Sequence, residues 1–115
     1  MATETSLILK GIKELNQRGA LKWEENLNVM GKEYNAEWNG VIIRLQKGDV
    51  FRHLIIGDDD RHPYGENEEE FKNLWEDAAQ KYRADQAKKK KELRERTQGA
   101  IKTLIELAEY PERGR

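Results

Sequence analysis

Asn39-Gly40, set between two alternating runs, constrains the fold of this chain more than any other pair of residues. Both central residues of the tightest hairpin turn need positive φ, which asparagine and glycine adopt readily. On one side, 33–38 alternates Tyr34, Ala36 and Trp38 with Glu33, Asn35 and Glu37; on the other runs Val41-Ile42-Ile43-Arg44-Leu45. A two-residue loop then pairs Trp38 with Val41, Ala36 with Ile43 and Tyr34 with Leu45. All six side chains fall on one face, the expected core face, while Ile42 shares the other with Asn35, Glu37 and Arg44.

The flanking segments extend this hairpin into a small antiparallel meander. Leu21-Lys22-Trp23-Glu24 begins an alternation suited to a first strand, 26–32 is turn-like at its ends, and Gly31 marks a bend. After a second turn at 46–49, 50–56 reads as another strand whose register is open. A tight loop places Val50, Arg52, Leu54 and Ile56 on the core face, and a bulge places Phe51, His53 and Ile55 there instead. The segment 57–66, with Pro63 and Gly65, reads as a polar loop. Ahead of the meander, 3–6 offers a helix cap, and Leu7, Ile8, Gly11, Ile12 and Leu15 recur at helical spacing up to Gly19, predicting a helix over about 5–18.

From Asn67 onward the chain reads as helix almost without interruption. Asn67-Glu68-Glu69-Glu70 matches a capping box, with acids at the positive helix end. Phe71, Leu74, Trp75, Ala78 and Tyr82 make a core stripe. The stripe then fades across 83–98, where Leu93 is the only large apolar residue, and returns as Ala100, Ile101, Leu104, Ile105 and Ala108. Pairs such as Asp85 with Lys89 and Glu92 with Arg96 support a solvated helix. The second stripe lies roughly a quarter-turn from the first. Either the chain bends near Gln98-Gly99 or the two faces serve different contacts. Pro111 is the expected stop, with a disordered tail over 112–115.

The expected fold class is therefore α+β: a short N-terminal helix, a three- to four-stranded antiparallel meander, and a long C-terminal helix or helix pair with a charged middle. The expected organisation is a compact core over 1–82 and a charged helical extension over 83–115. Hydrophobic and charged residues each make up 37% of the 115, so the core must be small, and a net charge of −1 provides no global field toward nucleic acid or membranes. The chain has no cysteine, which removes disulfides, thiolate metal sites and a cysteine nucleophile. With no signal-like N-terminus and no run near the ~20 apolar residues of a membrane span, a soluble cytoplasmic protein is expected.

No motif fixes a reaction. Ser6 is the only serine and stands at a helix start, far in sequence from His53 and His62, which argues against a Ser-His-Asp triad. His53, in a half-apolar strand, reads as a structural histidine. The aromatic residues sit at strand and helix spacing, as core residues do. No glycine-rich loop precedes a helix, and no cofactor is expected. Asp58, Asp60 and His62 are the one group with ligand chemistry, fit for a divalent metal in a hydrolase, though their spacing matches no calcium loop and equally describes a solvated acidic turn. Lys88, Lys89, Lys90, Lys91, Arg94 and Arg96 offer a nucleic-acid-binding alternative, weakened by interspersed acids and the absence of stacking aromatics. The leading expectation is a non-catalytic interaction module, an adaptor, regulator or inhibitor. It would bind a protein partner or its own twin in a homodimer through Ile101, Leu104, Ile105 and Ala108.

Overall fold

The computed structural model describes residues 3–29 and 31–110; the expected helix stop at Pro111 and tail over 112–115 lie outside them. Helix α1 (Glu4–Gln17) leads into strands β1 (Glu24–Asn28), β2 (Gly31–Trp38), β3 (Val41–Lys47), β4 (Arg52–Ile56) and β5 (Asp59–Arg61), followed by helix α2 (Glu66–Glu109). The five strands form one antiparallel sheet in sequence order. The class is α+β, as expected, but the meander has five strands rather than three or four. The first strand begins only at Glu24, with Leu21 and Trp23 buried on the approach to it. The added strand, β5, lies inside the segment read as a polar loop, because a tight turn at Gly57-Asp58 returns three polar residues to pair with β4.

The hairpin carries the predicted register: Trp38 pairs with Val41, Ala36 with Ile43 and Tyr34 with Leu45. Asn39 and Gly40 both adopt positive φ, 52° and 81°. Leu45 pairs with Leu54, so Arg52, Leu54 and Ile56 take the core face and the bulged alternative is excluded. Val50 precedes the strand and is exposed. Trp38 departs from expectation, being 41% exposed at the turn end of its strand. At Gly31 a Cβ would collide with the Lys47 carbonyl oxygen, so glycine is needed there for close backbone approach.

The contacts divide the chain into two units, Met1–Arg83 and Ala84–Arg115. In the first, one core joins Leu9 and Ile12 of α1, Leu21 and Trp23, the inward side chains of β2–β4, and Phe71, Leu74, Ala78 and Ala79 of α2. Tyr34 meets the Trp75 ring edge-on at 4.7 Å and donates its hydroxyl proton to Glu25 at 2.8 Å. Burial and then the Glu25 carboxylate push the Tyr34 phenol up to about 12. Both helices thus cover the same sheet face.

The start of α2 differs from the capping box. Asn67 exchanges a hydrogen bond with Thr3 rather than capping its own helix, and both Glu70 carboxylate oxygens accept from the buried Ser6 hydroxyl, at 2.7 and 2.8 Å. Thr3 meanwhile caps α1 by accepting from the Ser6 amide. Two residues that read as a local cap instead tie one helix to the other.

Phe71 is wholly buried. Phe71→Ala should destabilise this unit by ~3–5 kcal/mol in urea titration followed by tryptophan fluorescence. A loss below ~1 kcal/mol would mean that α2 is not docked through that side chain.

Candidate functional site

The second unit contains the returning apolar stripe, and the structure leaves it uncovered. Helical geometry continues through Gln98 and Gly99 to Glu109, so the helix has no break there and does not turn back at Gly99. Ile101, Leu104 and Ile105 are 52%, 64% and 52% exposed, and Ala108 is exposed beside them. Leu107 follows Leu104 by one turn and widens the stripe, with Tyr110 exposed at its end. Neither residue belongs to the expected face, although Leu107 stands three residues after Leu104 and Tyr110 three after Leu107. No helix among the described residues is long and apolar enough to cross a membrane.

Lys88, Lys89, Lys90, Lys91, Arg94 and Arg96 are all exposed on the same helical segment. Four consecutive residues on an α-helix point about 100° apart, so the lysines encircle the axis rather than build one cationic groove. Asp85, Glu92 and Glu95 lie among them.

In the first unit, the sheet face away from the helices carries two polar groups. Around Glu33, the side-chain amides of Gln46 and Asn35 donate at 2.8 Å and that of Asn26 at 3.3 Å. Burial alone would raise this carboxyl; the hydrogen bonds from Gln46, Asn35 and Asn26, with the charge of Arg44, outweigh it and hold the group below its ordinary 4.5. The arrangement orients side chains and satisfies a carboxylate on a sheet surface, with no nucleophile in it.

The second polar group lies at the β4–β5 hairpin. Asp60 and His62 come together there as the metal reading required, but their third neighbour is His53, not Asp58, which occupies the turn. His53 Nδ1 lies 3.0 Å from an Asp60 carboxylate oxygen, and the two imidazole rings meet edge-on with centroids 4.1 Å apart. The sequence leaves the register of β4 open, and with it the face on which His53 stands. With Leu54 facing the core, His53 must face outward, beside the returning strand.

The chain matches no known protein-family model, no curated protein and no solved structure.

Two measurements check this description. A Cβ at Gly99 would meet nothing within 4 Å, and its backbone is helical, so Gly99→Ala should raise local helix stability by ~0.5–1 kcal/mol in amide exchange of the flanking residues. A bent segment would instead be disturbed by the change. For Glu33, the lowered folded value means that its contribution is complete above its ordinary 4.5 and is lost as pH falls through the folded value. Below about pH 4.5 the urea midpoint of the wild type should therefore fall more steeply than that of Glu33→Gln. Parallel curves would remove Glu33 as the source of the acid sensitivity.

Proposed function

We propose that this protein is a non-catalytic interaction module that associates with a second copy of itself through the 101–108 face of α2. One observation carries the reading: Ile101, Leu104 and Ile105 stand more than half exposed along one side of an unbroken helix. Single exposed apolar residues are ordinary, but consecutive ones at helical spacing form a surface that water disfavours and another apolar surface relieves. Every copy of the chain presents the same face, and a two-fold pairing buries both at once without requiring a second kind of surface. The charged residues before it suit a segment that stays in water while the stripe is engaged. The stripe is short, and association must offset lost rotational and translational freedom, so the dimer should be of moderate strength, with Kd on the order of 1–100 µM.

Sedimentation equilibrium from about 5 to 200 µM should show concentration-dependent dimerisation over that Kd range. Leu104→Asp combined with Ile105→Asp should abolish it while leaving the urea midpoint of the tryptophan-containing unit unchanged. A wild type that stays monomeric throughout would sink the proposal. So would a double variant whose Met1–Arg83 unit unfolds, because the stripe would then belong to that unit's core.

A further inference from the structure

We propose that His53, Asp60 and His62 form a binding site for a zinc-class divalent transition ion on the outer face of the β4–β5 hairpin. It is independent of the helical association surface, lying in the other unit. The chain has only two histidines, separated by nine positions, and the fold brings both to one carboxylate. Each of the three residues offers one donor atom, and these atoms all lie within 4.8 Å of one another.

The placement follows from strand register. Leu54 pairs with Arg61 and Ile55 with Asp60, so His53, Ile55 and Asp60 share the outward face, and His62 continues β5 past Arg61 next to His53. The connecting turn is two residues long, which fixes the strands closely. Phe51 meets the His53 ring edge-on at 5.3 Å, limiting its freedom. On the opposite face, Arg61 anchors β5 to α1 by donating to Glu4 at 2.9 Å and Thr5 at 3.3 Å. Two of the three donors therefore sit on a braced strand pair, and His62 follows directly on its second strand.

The chemistry selects the ion. Two imidazoles and one carboxylate suit zinc, cobalt, nickel or copper, whereas magnesium and calcium prefer a shell of oxygens. With metal–donor bonds of ~2.0–2.2 Å, neighbouring donors on a tetrahedral ion are about 3.4 Å apart. The 3.0 Å between His53 Nδ1 and Asp60 is already close to that value. A small inward rotation of the exposed His62 ring then completes the set. Three protein ligands leave a fourth position for water or an anion.

The test uses the full chain without a polyhistidine tag. Isothermal titration with ZnCl₂ should show one ion per chain with Kd tighter than about 100 µM, while MgCl₂ gives no uptake. Co²⁺ should produce the visible absorption of a low-coordinate nitrogen and oxygen site. His62→Ala and Asp60→Asn, both at exposed positions, should weaken zinc binding at least ~tenfold, and Asp58→Asn should leave it within about twofold. Circular dichroism confirms that each variant is folded. Zinc binding weaker than about 100 µM, or binding that survives His62→Ala unchanged or is lost in Asp58→Asn, would overturn the assignment.

Discussion

The structure depends on a single asymmetry: only one face of the sheet is covered. Tyr34, Ala36, Ile43, Leu45 and Leu54 project to that face and are buried against both helices. Each large apolar side chain removed from water there contributes ~1.5–3 kcal/mol, so a one-residue slip of any strand would forfeit its whole inward set. That penalty chooses between the two registers of β4. It also determines what stands on the other face, since His53 faces outward because Leu54 must face inward.

The two helices are fastened at their beginnings by polar contacts as well as by the core. Thr3 with Asn67, Ser6 with Glu70, and Arg61 with Glu4 and Thr5 connect α1, α2 and the edge strand β5. Ser6 is buried, so its hydroxyl needs a partner, and the Glu70 carboxylate supplies it. A local capping arrangement would have satisfied Glu70 within its own helix. The tertiary partner prevails because it satisfies a buried donor that has left water.

The two proposed surfaces differ in physical kind and are independently testable. On 101–108 the driving force is removal of apolar area from water, which is non-directional and tolerant of geometry. At the β4–β5 hairpin the force is coordination, which is directional and fails when one donor is misplaced. The basic segment 88–96 supports neither of these, because its consecutive lysines spread around the helix.

The sequence by itself determined the α+β class, the Asn39-Gly40 turn with its register, the inward stripe of α2 and the existence of a second apolar stripe over 101–108, whose exposure on an unbroken helix only the structure decided. All of these follow from periodicity or from turn chemistry within a few residues, where the controlling interactions are local. Tertiary structure alone decided the rest. Strand β5 forms from three polar residues because β4 offers an edge with which to pair, and no pattern in Asp59, Asp60 and Arg61 announces it. Trp38 stays 41% exposed at the turn end of its strand although its register puts it with the inward set. His53 joins Asp60 and His62 only once the hairpin is closed, so their shared chemistry belongs to the fold and to no segment of the chain.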